Sequence, residues 1–417
     1  MSYIKTLWLM LLSDLNKLKN NRDKLINRSG PKIKKVSAGV KRILKDVRSK
    51  GDGALIEYTK KFDHADISEL IVSRKDIKKA RDSVEGEVID AIKKAKKNIE
   101  NFHKRQIKGP WSYENGGARL GQIVRPIESV GCYIPGGKAS YPSTVLMAVV
   151  PAKIAQVSRI AVASPPKKDG EVNSTVLAAC NISGVSEVYR IGGAHAIAAF
   201  AFGTESVPKV DKIIGPGNVY VTAAKRLVSD EVAIDLPAGP SEILIIADDS
   251  ANPEFVALDM AAQTEHDPDA CAVLVTTSRE LAKEVKKLTD NINGAILIAQ
   301  SLADAVRFSN EYAPEHLAIM TKNYRKLISK IKNAGSVFLG NYTPVACGDY
   351  ASGTNHILPT GGFARAYSGV GVSDFVKFIS VQEFDRAALK KLSRTITVLA
   401  EAEGLKAHAK SVKRRIE

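Results

Sequence analysis

Hydrophobic spacing changes character along this 417-residue chain. Up to about residue 120 the apolar positions recur at helical intervals. In DAIKKAKKNIENFHKR (90–105), Ile92, Ala95, Ile99 and Phe102 fall on one face while lysines fill the rest. Gly51 to Gly53 and the pair Gly116-Gly117 break the pattern. From about residue 124 short, continuous apolar runs take over. RIAVAS (159–164), SEVYRIGG (186–193) and KIIGPGN (212–218) read as strands running into glycine turns. STVLMAVVPAKIAQV (143–157) and AHAIAAFAF (194–202) read as the helices between them.

A second series follows. SEILIIAD (241–248), CAVLVTT (271–277), GAILIA (294–299) and SVFLG (336–340) are expected strands, and 253–264, 279–290 and 301–311 the intervening helices. Two successive series of this kind predict two open, mostly parallel sheets covered by helices. In such sheets ligands bind beyond the carboxyl ends of the strands, where strand order reverses. Residues 382–417 return to a charged helical tail. LWLMLL (7–12) reads as an amphipathic helix that docks on a partner, being too short for a signal-peptide core.

Composition is that of an ordinary globular protein, 44% hydrophobic and 25% charged. No apolar run reaches the roughly 18–20 residues of a membrane helix, so no membrane role and a cytoplasmic location are expected. The four cysteines, Cys132, Cys180, Cys271 and Cys347, form no CxxC pair and read as reduced thiols. The net charge of +16 is lopsided, because residues 1–120 hold 29 Lys+Arg against 15 Asp+Glu. Such an excess can serve nucleic acid. Without interleaved aromatics or zinc-finger spacing, solvated helix faces account for it better, and no nucleic-acid partner is expected.

Candidate chemistry lies in the loops. GCYIPGG (131–137) and IGPGN (214–218) each end a strand and open a helix, where backbone N–H groups can face a phosphate. Neither is the GxGxxG dinucleotide fingerprint. AAQTEHDP (261–268) sets Gln263 and His266 three apart, on one helix face. YAPEHLAI (312–319) joins Glu315 and His316 after a proline that biases Ala313 towards an extended conformation. Adjacent side chains diverge, which suits a divided acid/base pair; a surface turn is the plainer alternative. GDYASGTNHILPTGG (348–362) carries Asp349 and His356 among glycines, as binding loops do. Glu403 and His408 sit five apart in the tail. His266, Asp349 and His408 with Gln263 make a mixed N/O set suited to catalytic zinc, or manganese in its place.

These segments, with DLPAGPSEILIIAD (235–248), FGTESVPKVDKIIGPGN (202–218) and AGSVFLGNYTP (334–344), resemble the histidinol dehydrogenase family in order over nearly the whole chain. The resemblance implies two incomplete-Rossmann, aldehyde-dehydrogenase-like α/β domains, one combining 25–125 with 243–372 and one inserted at 126–242. An N-terminal helical arm (1–24) and a helical tail (373–417) would reach a second subunit. It implies oxidation of L-histidinol to L-histidine with NAD, one zinc per subunit, and a homodimer with shared sites. Gln263, His266 and Asp349 would hold zinc, joined by His408 from the other subunit. His316 would be the general base and Glu315 would activate water. Ser241, His356 and Glu403 would contact substrate, and Tyr133 and Asn218 would contact NAD. The chain reads GGAHAI (192–197) where the family has GGAQAI, so His195 replaces a glutamine that would contact NAD. Imidazole can donate and accept, so NAD binding should survive with altered affinity or pH dependence. Two other readings stand beside it: the resemblance also allows a relative using the same zinc and NAD on another small alcohol, such as a sulfonated diol, and the basic charge allows a nucleic-acid-binding protein.

Overall fold

The computed structural model describes residues 11–15, 25, 26, 28, 31–136, 140–236, 239–265, 268–289 and 292–417. Two parallel sheets carry the fold, as expected. The five-stranded sheet comprises β4 (Ser129–Tyr133), β5 (Arg159–Ala163), β6 (Glu187–Tyr189), β7 (Lys212–Ile214) and β8 (Ala233–Ile234), in the order β6-β5-β4-β7-β8. The six-stranded sheet comprises β1 (Leu11–Asp14), β9 (Glu242–Ala247), β10 (Cys271–Thr276), β11 (Gly294–Ile298), β12 (His316–Met320) and β13 (Ser336–Leu339), in the order β1-β11-β10-β9-β12-β13. Every pairing in both sheets is parallel.

The continuous apolar runs now have a reason. A parallel sheet covered on both faces needs apolar side chains pointing both ways. In β9, Ile243 and Ile245 join one core while Leu244 and Ile246 join the other. In the five-stranded sheet, Ile160 and Val162 face one core and Ala161 and Ala163 the opposite one.

The helices of the first hundred residues complete these cores. Pro31–Lys50 contributes Val40, Leu44 and Val47, and Asp52–Asp63 contributes Leu55 and Tyr58, to one face of the five-stranded sheet. Ile77, Ile92 and Ile99 cover the other face. The packing thus joins these helices to the five-stranded sheet, while Asn98 also reaches Ala351 O at 2.7 Å, within the expected grouping of 25–125 with 243–372. The lysine-rich spacing identifies an apolar stripe but not which sheet receives it.

Two local expectations are corrected. Leu11 and Leu12 lie in β1, a parallel edge strand on β11, so the end of the 7–12 run is not helical; residues 7–10 lie outside the described residues. Ala313 is not extended but left-handed, with φ 51° and ψ 67°, at the C-terminus of the Leu302–Tyr312 helix. Proline excludes the right-handed helical region at the preceding residue. The left-handed cap satisfies that restriction while Ala313 N–H donates to Ser309 O at 2.8 Å.

A three-stranded antiparallel sheet stands apart: β2 (Trp111–Asn115), β3 (Ala118–Pro126) and β14 (Val376–Phe384), in the order β14-β3-β2. Gly116 and Gly117, both at positive φ, turn the β2–β3 hairpin. The tail follows as two helices, Arg386–Ala402 and Lys406–Ile416. No helix among the described residues is long and apolar enough to cross a membrane.

Candidate active site

The two sheets offer opposite ends. In the five-stranded sheet β5 and β6 lie to one side of β4, and β7 and β8 to the other, so strand order reverses between β4 and β7. Tyr133 ends β4 and Gly215 follows β7, at the carboxyl-end crevice expected of such sheets. In the six-stranded sheet the functional candidates gather at the amino ends instead. Ser241 and Glu315 immediately precede β9 and β12, and His316 opens β12. Gln263 lies in the last turn of the Pro253–Glu265 helix, which returns from the carboxyl end of β9.

His316 is buried. Its Nδ1 lies 3.2 Å from Glu242 O and 3.5 Å from Glu315 Oε2. Both neighbours are acceptors, so Nδ1 carries hydrogen and Nε2 is the working nitrogen. Nε2 is buried without a hydrogen-bond partner and lies 3.6 Å from Asp349 Oδ1. Burial works against a charged ring, but Glu315 and Asp349 outweigh it and push the pKa up to about 10. Glu315 is equally buried; desolvation raises its carboxyl, and His316 tempers the rise. The expected divergence of these neighbours is corrected. Glu315 precedes the strand, so pleat alternation does not govern it. Its Oε2 accepts from Glu242 N–H at 2.8 Å and comes to rest beside His316. The surface-turn alternative fails with it, because β12 is buried along its length.

Asp349 sits in a single π-helical turn, Cys347–Ala351, a distortion frequent at functional sites. Its carbonyl is 2.8 Å from His356 Nδ1, whose Nε2 lies 3.1 Å from Thr144 Oγ1. His356 therefore spans from the polar loop to the Pro142–Ile154 helix beside the five-stranded sheet. Gln263 is buried, and its Oε1 has no hydrogen-bond partner. An orphaned amide oxygen is costly unless something positive occupies it. The Asp349 carboxylate beside His316 Nε2 and the buried Gln263 Oε1 are each oxygen donors of the kind a cation takes. His266 lies outside the described residues. Among the described residues no group of three or more His, Cys, Asp or Glu side chains is placed to hold a metal. Glu403 and His408 are exposed on the tail, whose contacts run within itself and to the hairpin, as in Lys413–Glu401 at 2.7 Å and Lys391 Nζ–Gly116 O at 3.4 Å.

The glycine turns form a second locus. A side chain at Gly215, φ 129°, would collide with the Tyr133 carbonyl. Gly215 N–H donates to Asp235 Oδ2 at 2.8 Å, and Lys225 Nζ donates to Gly215 O at 2.9 Å. Lys225 and Asp235 are themselves a buried ion pair. Sequence reasoning missed this clamp, although Asp235 lies twenty positions after Gly215. Lys225→Met strands the Asp235 charge and is expected to cost about 3–5 kcal/mol of stability. Urea unfolding measures this; a loss under about 1 kcal/mol would count against a buried charge there. Asn218 caps the Val219–Leu227 helix, its Oδ1 accepting from Tyr220 and Val221 N–H. Tyr133 is buried, with its hydroxyl accepting from Gly193 N–H at 3.1 Å.

His195 is buried, not lining an open crevice. Its ring lies 6.0 and 6.2 Å from those of Tyr58 and Phe62, and Nε2 is 3.3 Å from Thr59 Oγ1. Burial lowers its pKa to about 3. Unfolding restores an ordinary histidine, so between about pH 3 and 6.5 the unfolded chain binds the extra proton. His195 thus removes stability as pH falls through that window and has no effect above it. His195→Gln is expected to flatten the acid side of the stability profile, as measured by urea unfolding between about pH 4 and pH 7. A titration midpoint near neutrality that this substitution abolished would refute the assignment.

Cys132, Cys180 and Cys271 are held as neutral thiols. Burial raises Cys132, pushes Cys180 up to about 12 and Cys271 to about 11. Sequence reasoning also passed over Glu242 and Arg28. A charged residue heading the otherwise apolar run EILIIA was the available signal for Glu242; nothing marked Arg28.

The family model for histidinol dehydrogenase matches residues 26–416. The histidinol dehydrogenase of Methanocaldococcus jannaschii is 51% identical, over 98% of this chain and 99% of that one. That of Methanothermobacter thermautotrophicus is 50% identical, over 94% and 96%. The crystal structure of histidinol dehydrogenase from Elizabethkingia anophelis superposes with a TM-score of 0.92 at 40% identity, covering 98% of each chain.

Proposed function

The chain belongs to the histidinol dehydrogenase family, and from that premise we propose a zinc- and NAD-dependent, four-electron oxidation of L-histidinol to L-histidine through the aldehyde. The observation that carries the chemistry is His316 Nε2, buried, unpartnered and facing Asp349 while Nδ1 is anchored on Glu242 O. His316 takes the substrate hydroxyl proton as the carbinol hydride leaves. Glu315 takes a proton from the water that adds to the aldehyde. His316 then removes a proton from the hydrate as the second hydride leaves. Gln263, His266 and Asp349 would hold zinc, with His408 supplied by a second copy of the chain. Zinc bound there supplies Lewis acidity and a grip on the imidazole and amine of the substrate. It would also neutralise Asp349, one of the two anions that raise His316, and so return the base towards a working range. Ser241, His356 and Glu403 are assigned to substrate.

NAD would supply the hydride acceptor and is assigned to the crevice of Tyr133, Asn218 and the Gly215 turn, at the carboxyl ends of β4 and β7 where strand order reverses. His195 contributes there by packing. The homodimer is supported by exposed apolar surface on the third sheet and the tail. Trp111 and Tyr113 stack at 6.3 Å with about half of each side chain exposed, and Ile379, Val381, Val398 and Leu399 are also exposed. A nine-residue strand left this open is expected to be covered by a partner.

The test is the stoichiometry of NADH to histidine with L-histidinol as substrate, with and without a chelator. About two NADH per histidine is expected, since each two-electron step yields one, with loss on chelation and recovery on adding zinc. One NADH with aldehyde accumulating, or full activity in chelator, would contradict the reading.

A further inference from the structure

Glu242 is a charged residue buried at the head of the central strand β9, and the chemistry described above does not use it. Its contacts reach Glu315, His316 and the end of the polar loop. Its main-chain N–H donates to Glu315 Oε2 at 2.8 Å, and its main-chain carbonyl lies 3.2 Å from His316 Nδ1. Its side-chain Oε1 accepts from Glu315 N–H at 3.3 Å and from Gly361 N–H at 3.0 Å, at the end of the loop that carries Asp349 and His356. The carboxylate is held by a two-pronged ion pair with Arg28. Arg28 also donates to Tyr312 O at 3.1 Å and lies 3.6 Å over the Tyr312 ring, just before Pro314, Glu315 and His316.

We propose that Glu242, fixed by Arg28, is the positioning residue that sets the Glu315–His316 pair and ties it to the Asp349 loop. The inference rests on the assignment of Glu315 and His316 as the reacting pair. The Glu242 main chain holds the Glu315 carboxylate and His316 Nδ1, while its carboxylate holds the Glu315 and Gly361 N–H groups, so the Arg28 fork fixes the one residue on which the pair and the loop both rest. The forked guanidinium–carboxylate geometry fixes direction as well as distance. Burial disfavours the Arg28 charge, yet Tyr312 and Glu242 keep it protonated. The same contacts explain why an ion pair sits in an interior where apolar residues would pack as well: Gly361 and Glu315 need an acceptor at that point.

The experiment compares Glu242→Gln, the double variant Arg28→Gln/Glu242→Gln, Glu315→Gln and His316→Asn, all zinc-loaded. Glu242→Gln keeps the shape of the side chain but breaks the fork and leaves Arg28 buried and unpaired. Should it fail to fold, the double variant removes both charges and restores neutrality. Expected is a fall in kcat of roughly tenfold to a hundredfold from misplacement of the pair, with KM for L-histidinol and for NAD changed by less than about threefold, because no group that binds either is altered. Zinc content should stay at the wild-type level. A folded variant with kcat within about twofold of wild type, or one whose loss lies wholly in KM, overturns the proposal. If Glu315→Gln and His316→Asn are themselves active, the assignment of the reacting pair fails instead. If those two are inactive while the Glu242 variants are not, only the positioning role fails.

Discussion

His316→Asn is expected to lower kcat by about 10²–10⁴-fold, the usual worth of a positioned general base. The substitution is chosen for what it keeps. An asparagine amide N–H can reproduce the Nδ1 contact to Glu242 O, 3.2 Å away in the native protein. It offers nothing where Nε2 stood, beside Asp349. The strand should remain in register, because its pairing to β9 and β13 is a backbone matter. Both oxidations should slow, since both need a proton removed at the same point. L-Histidinol should still bind, because Asp349, Gln263 and Ser241 are untouched. Initial rates of NADH formation from histidinol, and from the aldehyde supplied directly, measure the two halves. A variant within about tenfold of wild type would remove His316 from the chemistry and leave Glu315 as the base.

Two individually inactive variants should restore activity when paired in one dimer. His408→Ala is expected to abolish turnover and zinc binding, and His316→Asn to abolish turnover alone. In a mixed dimer, one site combines intact His316 from one chain with intact His408 from the other. Random pairing makes about half the dimers mixed, each with one complete site, so about a quarter of wild-type activity should return. The structure motivates this experiment. His408 is exposed on a helix whose contacts run to its own tail and the hairpin, while Gln263 Oε1 waits buried and unpartnered elsewhere in the chain. Co-expression of the two chains with different tags gives the measurement, and the mixed dimer isolated from that mixture, with one complete site of two, should show about half of wild-type activity. Activity no greater than the sum of the two parents would mean that each site is built from one chain.

The sequence by itself determined the elements and the class of fold. Runs such as EILIIA and CAVLVT can only be strands buried on both faces, and the amphipathic stretches between them must cover those faces. The glycine turn after Ile214 was legible for a local reason: Gly215 adopts a backbone conformation that side chains resist. Motif order identified the family. Contacts between distant residues were decided only by the tertiary structure. Neither Arg28 meeting Glu242, 214 positions away, nor Lys225 clamping Gly215 follows from a local pattern, because ion pairing depends on where side chains end in space. Ala313 turned left-handed because two local rules, helix capping and the pre-proline restriction, had to be met at once. Glu315 turned back on His316 because the backbone of another strand supplied its hydrogen bond. Periodicity reports which face a residue is on; it carries no information about which partner waits there, and the site of this protein is made of such partners.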